Sequence, residues 1–181
     1  MYRNLRTNVL LVIFTRSILI ALQMKQSAGI LLYKFTDKTI FFLLVHPGGP
    51  FWKNKDLESW SIPKGEFTSD EDPLEGAKRE FQEETGFELE VDSEADFIAL
   101  HPVKLKSGKT IFAWALEFDI DVTLVKSNEF EMEWPPKSGK LQSFPEIDKA
   151  EWFQTENALK KINPAQADFI VQIISKISSS L

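Results

Sequence analysis

Three carboxylates, Glu80, Glu83 and Glu84, stand at i, i+3 and i+4 within the stretch GEFTSDEDPLEGAKREFQEETGF, which runs from Gly65 to Phe87. On a helix they share one face that spans roughly a quarter of the circumference. Like charges at this spacing repel, by about 1 kcal/mol per pair in water and by more near protein. Folding does not call for such a cluster, and a divalent cation would relieve it. Hard oxygen ligands in a chain without cysteine point to Mg²⁺ or Mn²⁺ rather than zinc. For three glutamates taken alone, the plainer reading is a solvated acidic face on a surface helix.

The flanking residues supply the helix that positions them. Asp72 suits an N-cap, Pro73 the first helical position, and Glu75 the place of a capping-box carboxylate. Leu74, Ala77 and Phe81 form an apolar stripe that can pack on a core. Gly86 is a natural C-terminal stop. Gly76 falls on the acidic face one turn before Glu80. Glycine costs about 1 kcal/mol against alanine there, so its presence suggests close approach by a ligand.

With Gly65, Glu71, Arg79, Glu80, Phe81, Glu83, Glu84, Gly86 and Phe87 in register, the segment resembles the Nudix box, G-x5-E-x7-R-E-U-x-E-E-x-G-U with U apolar. Every defining position matches and no spacing departs. The resemblance extends from about Met24 to Ile177 and implies an α/β fold, an α/β/α sandwich with a mixed β-sheet. It also implies a Mg²⁺-dependent pyrophosphohydrolase that cuts a phosphoanhydride bond of a nucleoside diphosphate linked to another moiety. On this resemblance Glu80, Glu83 and Glu84 match the metal ligands and the Gly65 carbonyl completes the shell. Glu80 could instead serve as the base. Arg79, which does not release its proton, would orient the carboxylates by paired hydrogen bonds. Glu71 would tie the loop to the helix. The alternative of another class is a nucleotide-sensing module with little turnover; the intact carboxylate set favours an enzyme.

Members of the family often take the general base or an extra ligand from a loop outside the box. The candidates here lie in SNEFEMEWPPKSG, where alternation puts Glu129, Glu131 and Glu133 on one side of an extended segment. Glu131 is the first choice and Glu133 the second, against the plainer reading of an acidic surface loop. Lys64, just before the box, can meet a phosphate as a point charge. Trp60-x-x-Pro63-Lys64-Gly65 is similar to the lead-in found in family members that cut dinucleoside polyphosphates, capped RNA ends or diphosphoinositol phosphates. Phe51, Trp52 and Trp60 could stack a nucleobase or could be packing. The best single substrate is diadenosine tetraphosphate, with a nucleoside triphosphate or ADP-ribose behind it. His46 and His101 lack partners at metal-ligand spacing and read as structural, and Trp152 and Phe153 read as core.

The 181 residues suit one catalytic domain with a sizeable core, rich in Phe and Trp. A net charge of −6 argues against a general nucleic-acid binder, which would show a basic stripe, but leaves room for a nucleotide carried with a cation. The absence of cysteine excludes disulfides and fits the cytoplasm.

Residues 1–23 stand apart. Arg3, Arg6 and Arg16 are their charges, and Thr15-Arg16-Ser17 splits two apolar runs, which argues against membrane insertion and against a clean signal peptide. The expectation is a dispensable extension outside the catalytic fold, ahead of an added helix or interfacial anchor and of a targeting segment, with the domain at 24–181 and Met24 a natural start.

Strands are expected at Ala28–Tyr33, Ile40–Val45, Phe87–Val91, Phe97–Val103, Thr110–Phe118 and Ala150–Phe153. A long loop is expected at Ser127–Phe144, and a C-terminal helix from Asn163-Pro164.

Overall fold

The computed structural model describes residues 26–91 and 93–179. The expectations for residues 1–23 and for Met24 lie outside these.

Strand β1 (Gln26–Thr36) turns at Asp37 and Lys38, both at positive φ, into antiparallel β2 (Thr39–Pro47). On its other side β1 runs parallel to β6 (Thr110–Glu117), and β9 (Ile147–Gln154) pairs antiparallel with β2. Short β3 (Lys64–Glu66) pairs with β1; β4 (Ile98–Ala99) and β5 (Val103–Lys104) pair with β6. One parallel pairing among antiparallel ones makes the seven-stranded sheet mixed.

Residues Ser27 to Tyr33 of β1 are all buried, as a strand covered on both faces must be. On one face Ala28, Ile30 and Leu32 pack with Ala77 and Phe81 of α1 (Pro73–Thr85). On the other, Leu31 and Tyr33 pack with Ala158 of α2 (Thr155–Lys161) and with Phe169, Ile170 and Ile173 of α3 (Ala167–Ser179). This is the α/β/α sandwich. Among the described residues, no helix is long and apolar enough to cross a membrane.

Helix α1 begins and ends as its residues dictate. Asp72 Oδ1 accepts from the amides of Leu74 (2.9 Å) and Glu75 (3.2 Å), and Gly86 takes φ 77° at the C-terminus.

Several expected elements differ. Ser127–Phe144 is not a loop: it holds a separate hairpin, β7 (Glu129–Glu133) with β8 (Leu141–Pro145), in which Phe130 faces Phe144 across the pair. The Pro135-Pro136 and Gly139 signals belong to its tip rather than to the whole segment. Phe87–Val91 forms no strand, because Phe87, Leu89 and Val91 satisfy their apolar character by packing beside α1. Phe97–Val103 shrinks to the short β4 and β5 around Pro102, which has no amide to donate. A 3₁₀ turn at Pro164–Gln166 precedes α3, and α2 was not anticipated.

Candidate active site

The box works by apposing β3 and α1. Gly65 lies flat against the Glu80 carboxylate, and a Cβ at that position would overlap it. The Lys64 amide donates to Glu84 Oε2 (2.8 Å), so the strand and the helix are joined at the acidic face. Gly76 has a different role from the one expected. A Cβ there would stand 2.8 Å from Phe67 Cβ, so this glycine admits the box loop, not a ligand.

Arg79 organises the carboxylates. Its Nε and Nη2 donate to the two oxygens of Glu71 (3.0 and 3.2 Å), and Nη2 also reaches the Glu66 carbonyl (3.2 Å). Its Nη1 donates to Glu80 Oε1 (2.8 Å) and Glu83 Oε2 (3.2 Å). The fork geometry needs arginine, since a lysine could not span these partners in one plane. Arg79 holds the Glu71 carboxyl below its usual range, and Glu71 in turn raises the guanidinium still further. Burial pushes Glu84 up to about 7 against the pull of Lys64, and it raises Glu80 against the pull of Arg79.

Glu146 contributes to the upward shift of both Glu80 and Glu84, and it lines the same cleft. Its position derives from α1. The Glu83 carbonyl accepts from the Asn128 amide (3.2 Å), and the Asn128 carbonyl accepts from the Glu146 amide (2.8 Å). The Glu146 carbonyl then accepts from the Gly48 amide (2.9 Å). A Cβ at Gly48 would run into the Pro145 carbonyl, so the loop after β2 can lie beneath the hairpin because this residue is glycine.

The cleft encloses about 310 Å³ and is walled by Trp52, Lys64, Glu84, Phe130 and Glu146. Glu131 and Glu133 do not line it. Alternation does put them on one side of β7, as expected, but Phe130 takes the inward side and the glutamates face solvent. Glu133 instead accepts from the Gly139 amide (2.7 Å) at the hairpin turn. Trp60 is a second correction. It is 1% exposed, packs edge-on against Phe153 and donates from Nε1 to Asp56, so its faces are closed to a nucleobase. Phe51 is 57% exposed and meets Trp134 of the hairpin edge-on, at 5.4 Å between ring centroids. His46 is buried, while His101 is exposed. Phe153 is core, and Trp152 is partly buried with its Nε1 donating to the Ile120 carbonyl (3.2 Å). Glu146 was missed; its signal in the sequence was no more than an acid at the threshold of a strand.

Among the described residues no three His, Asp or Glu side chains already cage a point, and Arg79 Nη1 stands between Glu80 and Glu83. The set nevertheless fits a hard divalent cation. It offers carboxylates raised by burial, and a carbonyl at Gly65 on a backbone that the missing Cβ lets approach.

The model of the NUDIX domain matches residues 24–173, and the chain belongs to that family. It is a Nudix hydrolase, an enzyme acting on phosphoanhydride bonds. The chain is 35% identical over 104 residues to the asymmetrical bis(5′-nucleosyl)-tetraphosphatase of Rattus norvegicus, covering 56% of this chain and 67% of that protein. Among solved structures, the fold resembles an Ap4A hydrolase of C. elegans in a binary complex, with 21% identity, TM-score 0.58, and 86% and 99% of the two chains covered. It also resembles the NUDIX domain of Shewanella oneidensis NrtR complexed with ADP ribose, with 15% identity, TM-score 0.57, and 85% and 88% covered. Nudix hydrolases in general work with divalent metals.

Proposed function

We propose that this chain hydrolyses diadenosine tetraphosphate asymmetrically, to ATP and AMP, with Mg²⁺. The observation that carries the reading is the 35% identity over 104 residues to the rat tetraphosphatase. The cleft supports it. Its volume is at the low end for ligand sites, roughly 300–1,000 Å³, and suits one nucleoside end of a two-ended substrate.

Glu80, Glu83, Glu84 and the Gly65 carbonyl would hold the cation. When bound, it supplies positive charge against the phosphoryl oxygens as negative charge builds there. Lys64, at the cleft wall beside Glu84, adds a point charge to a phosphate. Glu146 takes the proton from the attacking water or adds a ligand, a role its place in the cleft favours over Glu131 and Glu133 on the outer face of β7. Arg79 keeps Glu80 and Glu83 turned to one side. Trp52 and Phe130 offer aromatic surface to a base, worth about 1–3 kcal/mol per stacked base.

The full chain should convert diadenosine tetraphosphate to ATP and AMP when Mg²⁺ is present, with activity lost in EDTA and in Glu83→Gln. Chromatography of products from a panel decides the substrate. Preferential release of pyrophosphate from triphosphates, or of ribose phosphate from ADP-ribose, would overturn the tetraphosphate reading. Nucleotide binding without metal-dependent turnover would favour the sensing module.

A further inference from the structure

His46 ends the straight part of β2, beside the register shift at Pro47, and is 1% exposed. Its Nδ1 lies 2.6 Å from Asp148 Oδ1 and its Nε2 lies 2.9 Å from the Lys55 carbonyl oxygen. A carbonyl can only accept, and so can an ionised carboxylate. A neutral imidazole has a single N–H. With one proton, the ring would press a lone pair against an oxygen at one of its two contacts, and for a ring itself shut away from water that is costly. The surroundings carry both signs of charge. Asp148 and Lys149, the cross-strand neighbour of His46, come from β9. Trp60 packs on the imidazole at 5.2 Å, and Lys161 of α2, paired with Asp56, lies 5.8 Å from the Trp60 ring.

We infer that His46 is a positioning residue, an imidazolium whose two N–H groups pin both walls of the catalytic cleft. One wall is the loop after β2. From the Lys55 carbonyl it returns to the cleft through two turns, Lys55 N–H to the Trp52 carbonyl (2.7 Å) and Trp52 N–H to the Gly49 carbonyl (3.3 Å). The Lys55 ammonium also lies 4.3 Å from the centre of the Trp52 ring. The other wall is the start of β9, where Asp148 follows Glu146 by two residues, and the Gly48 amide closes the circuit on the Glu146 carbonyl. One buried ring therefore fixes the distance between Trp52 and Glu146. This role rests on the cleft being the substrate site.

Two substitutions separate positioning from mere packing. His46→Gln puts an amide near the place of Nε2 and keeps a donor for Lys55. His46→Asn puts it near Nδ1 and reaches Asp148 alone. Both lose the ring and its charge, so general destabilisation is common to them.

The first readout is the ¹⁵N spectrum of histidine-labelled full chain at neutral pH, with His46 assigned by the loss of its signals in His46→Gln. Both ring nitrogens should carry protons; a His46 with one bare nitrogen overturns the inference. The second is hydrogen exchange across residues 48–58. Exchange should be about tenfold faster in His46→Asn than in His46→Gln, the effect of one hydrogen bond. Equal exchange in the two variants overturns the positioning role. Neither readout needs a substrate, so both decide the matter even if diadenosine tetraphosphate is not cleaved. If it is cleaved, KM should rise in His46→Asn more than in His46→Gln.

Discussion

Glu146 and Glu131 carry the same functional group, yet the cleft receives one and excludes the other. The difference is which way each side chain leaves the backbone. On β7 the inward place goes to Phe130, whereas Glu146 sits where the chain bends into β9 and its amide and carbonyl are both held. Replacing Glu146 by Gln should therefore lower kcat by about 10²- to 10⁴-fold, the range for a lost general base. Glu131→Gln and Glu133→Gln should stay near the wild-type rate. Steady-state kinetics on the three variants check this, and an undiminished kcat in Glu146→Gln would return the base to Glu80.

The join between β3 and α1 carries two further expectations. Ala at Gly65 would push the Glu80 carboxylate from its seat while leaving the core residues of α1 untouched. Gly65→Ala should thus lose most activity with little change in the urea midpoint; a fully active variant would show that the cradle is not needed. Asp72→Ala should do the reverse. Loss of the N-cap costs about 1 kcal/mol in the same urea titration, and kcat should hold because Asp72 does not touch the carboxylate face. The hairpin works at this scale too. Pro135, Pro136 and Gly139 concealed it in the sequence, and its two strands pair with each other rather than with the main sheet.

For the whole molecule, pH acts on stability through carboxylates held by cations. Asp56 is kept below the usual carboxylate range by its hydrogen bonds with Lys161 and Trp60. The folded state therefore binds that proton less readily than the unfolded chain does. The stabilisation is present above the ordinary carboxylate value, near 3.9, and is lost as pH falls through the lowered folded value. In urea titrations Asp56→Asn should be less stable than wild type at pH 6, with the gap closing toward pH 3. A gap independent of pH would mean that the pair contributes by packing alone.

How much was legible in advance follows from where each determinant resides. The helix cap at Asp72, the stop at Gly86, the acidic face and the alternation of β1 and β2 are set by neighbours a few residues apart, so spacing in the chain displays them. The family, and with it the sheet between helices, rests on nine such local positions and was readable for that reason. Burial and orientation were not. Trp60 reads as a possible base-stacking ring until β9 and α2 close over it, and the partner of His46 lies 102 residues away. Local spacing determined the box and its chemistry. Contacts between segments far apart in the chain decided which glutamate faces the cleft, which aromatic rings remain open to a ligand, and what holds the two walls apart.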